Sequence, residues 1–213
     1  MPSPNGSDRR GPSTGASTAP SHTDAILQYM SGEQKDEWSP AENPYAIAVS
    51  QSWWALEALL LFASEAGNAL DHRQQIYARQ IFGQLRLLRL CARMQADELE
   101  SLGVSELERD RLNRAIEVFD TATPGATSAR NMLEHFDEYA RGKGVLQTRA
   151  IREEGLSVYE AAAVYWGGGY DPTTEQITEG PIVIYVPTAL AASEALHRAI
   201  YAAGKAVDAH RGD

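Results

Sequence analysis

Arg130, Asn131 and His135 fall in the stretch Ala126 to Gly142, ATSARNMLEHFDEYARG, where polar residues of chemical interest sit at helical spacing. A guanidinium forks onto phosphate oxygens and stays charged at any physiological pH. Imidazole is the side chain that exchanges a proton near neutral pH. Together they suit the binding of a phosphate with a proton transfer beside it. His135 would serve as general acid or base, Arg130 would hold the phosphate and its developing charge, and Asn131 would orient the ring or the substrate. This chemistry calls for no metal and no cofactor. A plainer use of the same residues stands beside it: Arg130 has Glu134 one turn on and Asp137 two turns on, an ion-pair ladder contributing a few tenths of a kcal/mol per pair, roughly. Asn131 and His135 would then be a hydrogen-bonded surface pair.

The stretch itself reads as one helix from Ala126 to Gly142. Thr123 before Pro124 suits an N-cap followed by proline in the first helical position, and Thr127 offers a second start. Gly142, flanked by Arg141 and Lys143, suits the end. At about 100° per residue, Tyr139, Met132, Phe136, Ala129, Ala140 and Leu133 share one arc of about 120°, the expected core face. Asn131 and His135 lie about 40° apart at its border, whereas Arg130 and His135 point about 140° apart. One phosphate could be reached by both only if two copies pair.

Arg130, Asn131 and, after Met-Leu-Glu, His135 resemble the motif of the HEPN domains, an Arg followed by a polar residue and then a His. The resemblance spans residues 45 to 210. It implies an up-and-down helical bundle with the motif on a late helix, and a homodimer formed through that helix. It also implies metal-independent cleavage of an RNA substrate, a toxin–antitoxin or phage-defence setting, and hence an antitoxin partner.

A second basic feature is the heptad row Arg79, Arg86 and Arg93, with Arg89 nearby. Residues seven apart drift only about 20° round a helix, so these guanidinium groups line one edge and could track an RNA backbone. The alternative is a solvated cationic face. The row stands out because the chain has 29 acidic against 19 basic residues and a net charge of -10, which argues against indiscriminate nucleic-acid binding.

Composition and patterning supply the frame. With 213 residues, 43% hydrophobic, the chain suits one globular domain with appendages. The single cysteine, Cys91, lies in an apolar helical pattern and can form no intrachain disulfide, so a cytoplasmic location is expected. Residues 1 to 23 are rich in Pro, Ser, Gly and Thr without an apolar core, as in a disordered tail. Residues 24 to 44 hold a short helical candidate, Ala25 to Met30, and a connector with Trp38, Pro40 and Pro44. The densest apolar run, Ala55 to Ala63, is interrupted by Glu57 and too short to cross a bilayer, so no membrane is expected.

From 45 onward the pattern predicts a mainly α bundle of about five helices. The first runs from Ala46 to about Ala69 with Val49, Trp53, Leu56, Leu60 and Ala63 inward, and Trp54, Leu59, Leu61 and Phe62 widening that face. The second runs from an Asp71 cap to about Leu102 with Ile76, Ile81, Leu85, Leu88 and Cys91 or Ala92 inward, and Gly103 closing it. Ser105 and Glu108 make a capping box for a third helix with Leu107, Leu112, Ile116 and Phe119 inward. The motif helix follows. Between about 156 and 187 a β-hairpin is expected, with strands Val158 to Trp166 and Ile182 to Val186, although the three alanines at 161 to 163 also suit a helix. Gly167 to Gly169 reads as a turn. Thr188 would cap a last helix to about Ala209.

Glu194 and His197 form one Glu-x-x-His, a spacing used twice in di-iron bundles, but no second copy exists, and no metal site is expected. Two functions follow: a metal-independent endoribonuclease, or a non-catalytic helical module that uses the motif helix as a dimer seam.

Overall fold

The computed structural model describes residues 39–69 and 72–212. The expected tail at 1–23, the candidate helix at 25–30, Trp38 and the Asp71 cap lie outside the described residues. Among those described there are eight helices and one small sheet: α1 Pro44–Asn68, α2 Arg73–Ser101, α3 Glu106–Ala122, α4 Ala126–Glu134, α5 Phe136–Ala140, α6 Val145–Glu154, α7 Val158–Val164, then β1 Gly168–Asp171, β2 Gln176–Glu179, β3 Ile182–Tyr185, and α8 Val186–Arg211. The fold is mainly α with a small β insertion, as the periodicity predicts.

α1 starts with Pro44 in its first position, where a missing N–H costs nothing, and pairs with α2. α2 ends at Gly103, whose left-handed φ of +67° lets the Val104 N–H reach the Leu99 carbonyl at 3.0 Å. α8 packs on α1, α2 and α3. Leu59, Phe82, Leu85, Leu88, Leu196 and Ile200 are fully buried between them, each contributing about 1.5–3 kcal/mol. Gly204 permits the close approach of α8 to α1, because a Cβ there would lie 2.7 Å from the Val49 side chain. The Gln95 amide, with its nitrogen toward the Tyr45 carbonyl (3.2 Å) and its oxygen toward the Gly204 N–H (3.1 Å), ties α1, α2 and α8 together. Ser52 donates to the Val49 carbonyl and lies 2.9 Å from His197 Nδ1, joining α1 to α8.

Several expectations are corrected. Trp54, Leu60 and Leu61 are exposed on α1, and Ile76 and Leu107 are exposed on α2 and α3, because one bundle layer covers only one side of each helix. Ser105 does cap α3, but its side chain makes no capping bond, the Glu108 carboxylate being drawn 2.6 Å from Arg111. α8 begins at Val186, two residues before Thr188, with Pro187 in its first turn.

The largest difference lies at 156–187. The first expected strand is helix α7, for Ser157 and Glu160 form a reciprocal capping box ahead of three alanines. The Gly-rich connector supplies two strands instead of a turn, giving an antiparallel meander β1-β2-β3 with Tyr170 opposite Ile177 and Ile177 opposite Ile184. Asp171 closes the β1–β2 turn by accepting from the Thr173 N–H (2.8 Å) and the Thr174 hydroxyl (2.9 Å). Ile177 and Ile184 point into the core, β1 packs on α2, and β3 packs on α4 and α8.

Candidate functional site

The motif stretch is two helices. The chain leaves helical geometry at His135 (φ -104°, ψ 35°), between α4 and α5. Thr123 does not start the motif helix; its hydroxyl donates to the Phe119 carbonyl at 2.8 Å and closes α3, and Gly125, at φ +72°, begins α4. The break re-phases the residues beyond it. Ala129 and Met132 are buried as the wheel predicts, but Phe136 is 64% exposed and Ala140 is also exposed. Tyr139 is buried, with its hydroxyl accepting from the Leu146 N–H at 3.3 Å. α6, which the sequence did not suggest, holds this geometry through Gln147: its amide oxygen accepts from the Gly144 N–H (3.0 Å), and its nitrogen donates to the carbonyls of Tyr139 (2.9 Å) and Ala161 (3.5 Å).

α4 packs on α2, which brings the motif arginine to the heptad row. Arg130 is partly buried and ion-paired with Glu134. Its guanidinium is held below the ordinary arginine range first by burial and then by the positive charge of Arg86. Where α2 meets α4 the charge of Arg86 thus acts on Arg130, whose own anion in this structure is Glu134. Arg79, one heptad earlier, acts on Glu179 of β2. Arg89 pairs with Asp120 of α3 at 2.7 Å, and Arg93 is exposed farther along α2.

Glu179 is a site residue that the sequence reading passed over. It is buried, its Oε2 lacks a hydrogen bond, and burial pushes its carboxyl above the ordinary range while Arg79 opposes the shift. Gly168 makes room for it, since a Cβ there would come within 2.8 Å of that oxygen. The signal was present as alternation: once 176–179 is read as a strand, Glu179 shares the inward face of Ile177.

His135 and Asn131 do not join the arginines. Both are exposed, and His135 Nδ1 lies 3.9 Å from the Glu138 carboxylate. Because α4 stays helical through Glu134, Arg130 and His135 keep directions about 140° apart. Of the interactions foreseen in the plainer reading, the Arg130–Glu134 pair is present. A polar cleft lined by Glu100, Glu106, Arg109 and Asp110 lies between the end of α2 and the start of α3, away from these residues. His197 of the Glu-x-x-His pair turns inward to Ser52 while Glu194 is exposed, and the described residues hold no cluster of three metal-ligating side chains. Cys91 is buried, its thiol pushed up to about 11 and so kept neutral. α1, with a mean hydropathy of 1.4 over its most apolar window, is long and apolar enough to cross a bilayer by length and composition, which Glu57 had argued against from sequence.

Compared with models of protein families, with curated proteins and with solved structures, the chain matches none.

Proposed function

We propose that the protein is a metal-independent endoribonuclease of HEPN type that works as a homodimer. The observation that carries this reading is the packing of α4 on α2, which brings Arg130 to the arginine row, where the Arg86 charge acts on it, in a chain of net charge -10. An RNA phosphate is an anion that Arg forks bind bidentately, and it would take the place that Glu134 fills beside Arg130. Arg79 and Arg93 extend the track along α2. His135, exposed at the α4–α5 break, is free to meet a substrate and to move the proton of the 2′-hydroxyl or of the leaving 5′-oxygen. Asn131 beside it orients the ring or the substrate. Two-fold pairing of the α4–α5 segments would bring one copy's Arg130 toward the other's His135. A toxin or phage-defence role, with an antitoxin as partner, follows from the same reading.

Purified protein incubated with diverse RNAs should generate fragments ending in a 2′,3′-cyclic phosphate, with or without a chelator. His135→Ala should reduce cleavage by about 10²–10⁴-fold, the range of a general acid–base group, without loss of stability at this exposed position. Arg130→Ala should act likewise by removing phosphate binding. Intact RNA with the wild type, or equal cleavage by the His135 variant, overturns the reading. The second function, a non-catalytic helical binding module, is favoured by one observation: the Arg130–Glu134 pair already occupies the motif arginine. Under the nuclease reading Glu134→Gln should release Arg130 and tighten RNA binding; under the module reading it should do nothing.

A further inference from the structure

The outer side of the α1–α2 hairpin is apolar and open to solvent. α1 turns Tyr45, Ala48, Ser52 and Leu59 inward, and the same period turns Ile47, Trp54, Ala58 and Leu61 the opposite way. α2 does likewise with Ile76 and Leu90, while Leu87 and Met94 on the same side are partly buried against the chain's own core. Trp54 is 57% exposed and Leu61 56%; Leu90 is 46% exposed. On both helices the outward positions alternate in steps of four and three, 47-51-54-58-61 and 76-80-83-87-90-94, the spacing of a helix–helix seam. A two-helix face about 35 Å long and about 20 Å wide offers about 700 Å², close to the roughly 800 Å² per partner of a stable interface.

The two helices are also complementary in sign. α1 carries Glu57 and Glu65 and no basic residue, whereas α2 from Arg73 to Arg93 carries only arginines among its charged residues. Gly83 adds an independent observation. It lies inside a helix, where glycine costs about 1 kcal/mol relative to alanine, yet a Cβ there would meet nothing within 4 Å. The missing side chain leaves a notch on that side of α2.

We infer that the occupant of this face is the same hairpin of a second copy, related by a two-fold axis parallel to the helices, so that each α1 lies antiparallel on the partner's α2. A two-fold along that direction permits no sliding, so residues meet at equal height. Within one chain Phe62 stacks on Tyr77 and the Tyr45 carbonyl meets Gln95, which sets the heights of the two helices. Trp54 is then level with the segment between Gly83 and Leu87 and fills the partner's notch. Every neighbouring helix pair in the resulting four-helix layer is antiparallel, so the dipoles oppose one another favourably. This surface is separate from the α4–α5 segment, so the inference goes beyond the nuclease reading without depending on it, and the two pairings together would give a tetramer that loss of this face cuts to the α4–α5 dimer.

Light scattering on the full chain at tens of micromolar reads the assembly directly. Trp54→Glu should halve the mass while leaving helicity unchanged. Gly83→Leu should also halve it, although leucine is the better helix former, because the side chain fills the notch. A Trp54→Cys protein mixed with a Gly83→Cys protein should form a disulfide-linked pair on oxidation, and neither should do so alone; the buried native Cys91 takes no part. A mass unaffected by both substitutions, or no cross-link in the mixture, overturns the inference. So does a monomeric wild type that binds phosphatidylcholine vesicles through Trp54, which would assign the face to lipid. Because the readout is mass, its failure is distinguishable from a failure of RNA cleavage.

Discussion

Replacing Arg86 by glutamine should weaken RNA binding and leave the fold as stable as before, or slightly more so. Arg86 depresses the ionisation of Arg130, so the charged pair is mutually unfavourable in the free protein. Both groups are partly in water, and relieving a screened repulsion of this kind yields a few tenths of a kcal/mol at most, roughly. For a chain of this size that shifts the melting temperature upward by about 1 °C. Binding moves in the opposite direction. Each phosphate contact contributes about 0.7 to the slope of log K against log salt for a single strand. Losing one contact should make affinity about 2.5-fold less sensitive to a rise from 50 to 200 mM salt. Fluorescence anisotropy with a labelled single-stranded RNA measures that slope, and Arg149→Gln on α6, whose arginine pairs with Glu153, is the control. A purely structural arginine would lower stability and leave the slope alone. If Arg86→Gln does that, the reasoning that makes the Arg86–Arg130 pair an anion seat is wrong.

Other perturbations test the supports of the site. Ser52→Ala should cost about 1–3 kcal/mol in urea denaturation, since it removes the buried hydroxyl between the Val49 carbonyl and His197; a neutral result would mean that the link is dispensable. Gln147→Ala should speed hydrogen exchange in α5, α6 and α7 before the bundle core is affected, because three hydrogen bonds at 139, 144 and 161 depend on that one amide. Glu179 contributes a pH dependence opposite in sign to that of the lowered carboxylates Glu153, Glu160 and Asp171. Its folded carboxyl lies above the ordinary 4.5, so the folded state favours the protonated form. Its contribution to stability should therefore fall as pH rises from the ordinary glutamate value through the raised folded value, then level off. Glu179→Gln should abolish that decline, and parallel melting curves for the two proteins between pH 4 and 8 would contradict the assignment.

How much was legible in the chain depends on how local the cause was. The long helices α1, α2 and α8 and the shorter α3 follow from apolar residues at three-to-four spacing, and Gly103 stops α2 by its own backbone freedom. α7 was legible too: Ser157 and Glu160 carry its capping box, yet the β-branched and aromatic residues around the alanines weighed toward a strand. The sheet was half visible, because alternation in Gln176–Glu179 was hidden between turn-forming residues. The break at His135 was not visible at all. No proline or glycine marks it; just beyond it Tyr139 is tied to Leu146 and Gln147 of α6, and Gln147 in turn to Ala161 of α7, contacts between segments that only the folded chain brings together.

Arg79, Arg86, Arg93, Arg130 and His135 were identifiable as residue types at helical spacing, since spacing along one helix is a property of the sequence. By itself the sequence determined the helical content, the apolar faces and the placing of each charge on its own helix. Tertiary structure alone decided that the Arg86 charge acts on Arg130, that Glu179 is buried within reach of the Arg79 charge, that His135 stands apart in solvent, and that Trp54 faces outward. Periodicity says which side of a helix a residue occupies; which neighbour covers that side depends on long-range packing between elements.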